Sequence, residues 1–264
     1  MRHKTLTLAL WQGARHTGAG LDDLSDIAAV IGGAAKAGAD LLVFPEGYLT
    51  GYYRPGLRAT ELAGVDAALD RLGRLVNDAG IMVVMGTHRV SGRALVNAAI
   101  VFDTRGRTIG AYHKRALFGD WERATFEPGT QPLRFDCGGF RVGLAICYDL
   151  EFPELIRAEA EARTDLVVTP TALMAPHGRI AGLLPAARAL ENQIFVAYAN
   201  RTGREHELAF VGQSCICGPD GAMLAVAGNA PEMLVAQLDR KAIRAARDEA
   251  SYLEDLGRLR ENGG

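Results

Sequence analysis

An α/β fold is what this 264-residue chain predicts, and three observations carry the expectation. Short β-branched and aliphatic runs alternate with stretches whose apolar residues recur at helical spacing, so strands and helices take turns along the chain. The segment Gly38-Ala39-Asp40-Leu41-Leu42-Val43-Phe44-Pro45 is echoed later by Arg163-Thr164-Asp165-Leu166-Val167-Val168-Thr169-Pro170, as two similar α/β layers around paired sheets would require. The length suits one large layered domain, a size that α/β folds commonly reach as a unit.

The first strand is expected over residues 6–11. Met1-Arg2-His3-Lys4 and the run behind it mimic a signal peptide, but the run is short, is broken by Thr7 and leads into Gln12-Gly13-Ala14-Arg15 instead of a small-residue cleavage site. A helix follows over 21–37: Leu24, Ile27, Ala28 and Ile31 share a face, and Asp22 and Asp23 sit where a helix N-terminus favours anions. Pro45 ends a strand over 41–44. Next come a helix over 64–78 and strands over 81–87, 94–102 and 108–113. A strand over 141–147 runs into Phe152-Pro153-Glu154, a helix start for residues 152–162. The strand over 166–169, the helix over 180–191 and the strand over 194–200 continue the alternation. Later strands at 212–217, 223–227 and 233–238 read as hairpins, with Pro219-Asp220-Gly221 as a turn. The charged tail from Asp239 reads as a helix and extended arm; its few apolar anchors, Ile243, Tyr252, Leu253, Leu256 and Leu259, are expected to pack on another surface.

Composition excludes several function classes. With 48% apolar residues and a formal net charge of −2, the chain shows no basic footprint for nucleic acid or an anionic membrane. No apolar stretch is long enough to span a bilayer, and a cytoplasmic location is the default. The four cysteines, at 137, 147, 215 and 217, follow a reduced-compartment pattern. The six histidines show no zinc spacing, so no metal is called for. No phosphate-binding loop follows a strand, and no cofactor is expected.

Three words carry chemistry: FPEGYLTGY with Glu46, YHKRALFGDWERATFEPG with Lys114 and Glu122, and GLAICYDLEFPE with Cys147. A thiol attacks as thiolate, so a nucleophilic cysteine needs a proton acceptor, and its tetrahedral adduct needs positive charge or N–H donors. Glu46 and Lys114 could supply both. Singly, each residue has a bland reading: a core cysteine, a solvated loop glutamate, a surface lysine. Three complementary groups at three strand ends are much harder to assign to chance, and they describe a thiol amidohydrolase.

The order Glu, Lys, Cys and the words around them resemble the nitrilase superfamily of carbon–nitrogen hydrolases, from about Thr5 to beyond Leu238. The family places a second glutamate eight residues after its lysine, which selects Glu122 over Glu127. CYDLEFPE looks like the amidase branches, whereas true nitrilases tend to follow the cysteine with Trp-Glu. The likeness narrows to 5-aminopentanamidase-like aliphatic amidases, which act on ω-amino amides, through YLTGY, LFG, ENQ, AYAN, GQS, GPDG and the tail word YLEDL. The chain departs from that pattern at His113, where Tyr-Arg-Lys is common, and at Ala116, where Thr-His-Leu is common.

The resemblance implies a four-layer αββα sandwich, one carbon–nitrogen hydrolase domain over 1–264 with 239–264 as a C-terminal helix or arm, and a homodimer of αββα–αββα form. It implies Glu46 as base, Cys147 as nucleophile, Lys114 with the Tyr148 backbone N–H at the oxyanion, and Glu122 orienting substrate or Lys114. The substrate expected is a small aliphatic, ω-amino amide. Tyr52, Phe118, Trp121 and Tyr148 lie beside the catalytic words as pocket candidates, and Asp149, Glu151 and Glu191 as acceptors for a distal amine. The rivals are an N-carbamoyl amine hydrolase, an ω-amidase of dicarboxylic monoamides, which should show an arginine for the distal carboxylate, and a non-catalytic amide-sensing or scaffold protein.

Overall fold

Two six-stranded mixed sheets, described by a computed structural model over residues 5–18 and 20–262, carry the fold. The expectation for Met1 to Lys4 lies outside the described residues. The first sheet comprises β1 (Thr5–Gln12), β2 (Leu41–Val43), β3 (Met82–Ser91), β4 (Ala94–Phe102) and β5 (Thr108–His113). The second takes β6 (Arg134–Cys137), β7 (Phe140–Leu144), β8 (Leu166–Pro170) and β9 (Phe195–Ala199). A two-stranded ribbon, β10 (Arg204–Glu205) and β11 (Leu208–Ala209), stands apart; β12 (Cys215–Cys217) and β13 (Met223–Val226) complete the second sheet, and β14 (Glu232–Asp239) returns to the first.

Each sheet has the same plan. Strands β1, β2 and β3 run parallel at the centre of one, and β7, β8 and β9 at the centre of the other, with antiparallel strands outside them. The sequence echo falls on equivalent places, for β2 and β8 are the middle strands of the two parallel trios.

Alternation of side chains across each strand sorts residues into layers. Leu41 and Val43 join Leu166, Val168 and Phe195 in the core between the sheets. Leu42 and Phe44 point the other way, onto α1 (Ser25–Lys36) and α2 (Val65–Ala79) through Ile27, Ile31, Leu69 and Leu72. On the far side, Val167, Val196 and Tyr198 pack against α4 (Pro153–Glu161) and α5 (Arg179–Asn192) through Ile156, Ala181 and Ala189; the intervening α3 covers Gly119–Thr125. The strands of the parallel trios are thus apolar on both faces, as strands covered by helix on one side and sheet on the other must be. These are the four layers expected of an αββα sandwich.

Several elements differ from expectation. Strand β7 stops at Leu144, and Cys147 opens a 3₁₀ turn, Cys147–Glu151, instead of ending the strand. β14 is not part of a hairpin; it pairs along its whole length with β1, from Thr5↔Asp239 to Gln12↔Glu232. Among the described residues the tail forms two helices, α6 (Lys241–Glu249) and α7 (Tyr252–Glu261), where a helix and an extended arm were expected. Ile243 enters the core between the sheets and Leu253 packs on the α4/α5 side, while Tyr252 and Leu259 stay exposed. No helix among the described residues is long and apolar enough to cross a membrane.

Candidate active site

The ends of β2, β5 and β7 bring Glu46, Lys114 and Cys147 together. Carboxyl ends of parallel strands are where open α/β sheets place their ligands.

Glu46 is seated by its neighbours' backbone. Phe44 N–H donates to the Val84 carbonyl and Leu49 N–H to the Gly86 carbonyl, pulling the loop down onto β3. Gly86 makes that approach feasible: an added Cβ would overlap the Pro45 carbonyl oxygen and lie 2.8 Å from the Glu46 Cα. Lys114 is pinned similarly, its N–H donating to the Asn97 carbonyl and its carbonyl accepting from Gly129, both at 2.8 Å.

The side chains meet in a fully buried cluster. Lys114 Nζ donates to Glu46 Oε1 at 2.8 Å and to Glu122 Oε1 at 2.7 Å. Asn97 Nδ2 donates to the same Glu46 oxygen at 2.7 Å. Glu122, on α3, also accepts from Tyr52 Oη at 2.8 Å and from the Phe118 N–H at 2.6 Å. Every carboxylate oxygen in the cluster is therefore satisfied except Glu46 Oε2, which has no hydrogen-bond partner among the described residues. A buried acceptor left open in an otherwise complete network is positioned to take a proton.

Cys147 has φ +46°, a left-handed conformation that a side chain rarely adopts and that costs on the order of 1–2 kcal/mol. Asp149 holds the elbow in that shape. Its carboxylate accepts from Ile146 N–H (2.9 Å), Ala116 N–H (2.6 Å), Arg115 N–H (3.2 Å) and Tyr112 Oη (2.8 Å). One side chain thereby ties the cysteine turn of the second sheet to the lysine loop of the first.

Electrostatics set the resting protonation. Burial would push the Lys114 ammonium down, but Glu46 and Glu122 outweigh it and raise it, so the lysine stays charged. Burial raises Glu46, and Glu122 adds to the rise, against the opposing pull of Lys114 and Asn97. Burial and the Glu46 charge push the Cys147 thiol well above its usual range, despite Lys114 and an Ala172 N–H that favour thiolate. The resting sulfur therefore keeps its proton, and attack requires a base beside it.

A cavity of about 210 Å³ opens onto Cys147. Tyr52, Phe118 and Tyr148 line it; Trp121 is not among its lining residues and packs edge-on against Tyr52 at 5.5 Å between ring centres. Leu173, Met174, His177 and Ile180 complete its walls with Glu151. Of the acids considered for a distal amine, Asp149 is consumed by the elbow and Glu191 pairs with Arg188 at 3.1 Å. A larger cavity of about 590 Å³, lined by Arg15, Arg54 and Arg204, includes no residue of the cluster. Volume favours the larger cavity; Cys147 lines the smaller one. Asn97 escaped the sequence reading, although a lone amide inside the apolar run of β4 is its one visible sign.

A buried carboxylate–ammonium–carboxylate cluster beside a strained cysteine, on a four-layer sandwich, defines a thiol hydrolase of the nitrilase kind. The chain belongs to the carbon–nitrogen hydrolase family, whose sequence model matches residues 7–248. An (R)-stereoselective amidase from a Pseudomonas species is 35% identical over 82% of this chain and 79% of its own. The 2-oxoglutaramate amidase of Bacillus subtilis is 31% identical over 83% and 85%. Among solved structures, an amidase from Nesterenkonia sp. superposes with a TM-score of 0.82 at 35% identity, covering 94% of this chain and 96% of that one. A variant of the Nesterenkonia sp. AN1 amidase, with covalent addition of the acetamide moiety of fluoroacetamide at its active site cysteine, superposes with a TM-score of 0.85 at 33% identity over 100% and 98%. This chain is an amidase of the nitrilase superfamily.

Proposed function

We propose that the chain hydrolyses a small aliphatic ω-amino amide to the carboxylic acid and ammonia through a Cys147 thioester. The observation that carries the reading is the buried Lys114 ammonium held between Glu46 and Glu122. Glu46 Oε2 takes the thiol proton as sulfur attacks the amide carbonyl carbon. The oxyanion is met by Lys114 Nζ and the Tyr148 N–H, which lies in the first 3₁₀ turn where backbone donors lack intrahelical acceptors. Collapse of the adduct breaks the C–N bond, and the proton on Glu46 leaves with ammonia. Glu46 then deprotonates a water that attacks the thioester, and the proton returns to sulfur as the acid departs. Glu122 holds Lys114 in place throughout.

The 210 Å³ cavity suits a short chain. Among the described residues no arginine or lysine lines it, which disfavours a dicarboxylic monoamide, whose distal carboxylate would need one. An ammonia-release panel of butyramide, 5-aminopentanamide, carbamoylputrescine, dicarboxylic monoamides and nitriles tests the reading. Carbon dioxide accompanying ammonia would assign a carbamoyl hydrolase, and no turnover of any amide would sink the proposal.

We read 1–264 as one domain that works as a homodimer in the cytoplasm. The outward face of α5 carries Leu183, 64% exposed, with Leu190 and Ala187, an apolar stripe suited to a second copy. The four cysteines are free and buried, which suits a reducing compartment.

A further inference from the structure

The cavity that Cys147 opens onto has, among the described residues, one carboxylate in its wall, that of Glu151. Glu151 is the last residue of the 3₁₀ turn that Cys147 begins, and both side chains line the same space. Glu151 follows Cys147 by four positions in this turn. The rest of the wall includes apolar and aromatic side chains: Leu173 and Met174, with the Phe118 and Tyr148 rings 5.3 Å apart. The backbone carbonyl of Glu151 accepts from Arg188, but its carboxylate has no hydrogen bond or ion pair among the described residues. The side chain is half-buried, and burial raises its pKa against the opposing pull of His177, Lys114 and Arg188, a residual cost that a bound cation would further offset. His177 lines the same cavity.

We propose that Glu151 is the specificity-determining residue of this amidase, receiving the distal ammonium of an ω-amino amide whose carbonyl lies at Cys147. The inference rests on the amidohydrolase reading above and adds the group that selects among amides. An extended 5-aminopentanamide spans about 6 Å from carbonyl carbon to amine nitrogen, and a charge-assisted hydrogen bond adds about 2.8 Å, so the amine of a substrate held at Cys147 would lie away from the sulfur within the cavity that both residues line. Its methylenes would lie along the apolar wall, and the aromatic rings would favour the cation. A dicarboxylic monoamide of equal length would set its carboxylate against Glu151.

The test is the ratio of kcat/KM for 5-aminopentanamide to that for pentanamide, near neutral pH. In the unaltered protein the ratio should exceed about ten, as a charge-assisted contact warrants. Glu151→Gln should lower the ratio about tenfold, mainly through KM, and Glu151→Arg should move preference toward the monoamide of glutaric acid. A ratio near or below one in the unaltered protein overturns the proposal without depending on any variant's folding. So does a ratio unchanged by Glu151→Gln. In both cases the amidase reading stands, because pentanamide still turns over; absence of ammonia from either amide would instead overturn that reading and the proposal with it.

Discussion

Replacing Lys114 by Met would leave Glu46 and Glu122 face to face with no cation between them. The three side chains are fully buried, and Nζ reaches one oxygen of each carboxylate at 2.8 and 2.7 Å. Methionine keeps the apolar stem, so the change removes charge and donors more than bulk. Deleting one partner of a buried ion pair costs about 3–5 kcal/mol because the survivor stays desolvated; here two survivors also repel each other. Protonation is the available relief. Burial and Glu122 already hold Glu46 above the ordinary carboxyl value of 4.5, and losing Lys114 removes a major opposing pull. A carboxyl with a raised folded pKa destabilises fully above that pKa, and the penalty fades as pH falls toward the unfolded value. Urea unfolding followed by Trp11 and Trp121 fluorescence should show a deficit of about 3–5 kcal/mol near pH 7.5, smaller by about 1 kcal/mol or more near pH 5.5. A deficit under about 1 kcal/mol, or one that does not change between those pH values, would refute the picture of a cation neutralising two buried anions.

Cys147→Ala should fold and lose ammonia release by at least ~10⁴-fold; turnover retained would remove the sulfur from the reaction. Because φ at this position is +46°, Cys147→Gly should unfold at higher urea than Cys147→Ala, by about 0.5–1 kcal/mol, and the reverse order would dismiss the strain. The acid limb of kcat/KM should sit above the ordinary carboxyl value, since burial raises Glu46, and activity should rise with pH through it; a limb that persists unshifted in Glu46→Gln would belong to another group. Gly86→Ala should lose both stability and activity, by about 2 kcal/mol in unfolding, through displacement of the Glu46 loop; calorimetry and ammonia release showing wild-type behaviour would contradict the close packing.

Local chemistry made much of this molecule legible in advance. β4 and β5 begin and end where alternation placed them, and the Glu46, Lys114 and Glu122 side chains form one hydrogen-bonded cluster. What escaped was written in distant contacts. α3 buries only Glu122, so no apolar stripe announces it; the helix is held by what that carboxylate grips. β14 pairs with a strand more than two hundred residues earlier, and nothing in its own composition names that partner. Asp149 looks like any polar residue after a cysteine until four donors converge on it from two sheets. Trp121 neighbours the catalytic words in sequence, but packing against Tyr52 and Tyr53 turns it from the cavity.

Glu46 and Lys114 hang from one sheet and the Cys147 sulfur from the other, so the proposed reactive assembly is only as well aligned as the two sheets are. A slip of a single residue repeat, about 3.3 Å, would carry the thiol out of reach while leaving every strand, helix and hydrogen-bonded ladder within each half intact. Turnover should therefore vanish on mild denaturation before helical or strand content changes, which makes catalysis a finer gauge of how the halves are docked than any spectroscopic measure of their secondary structure.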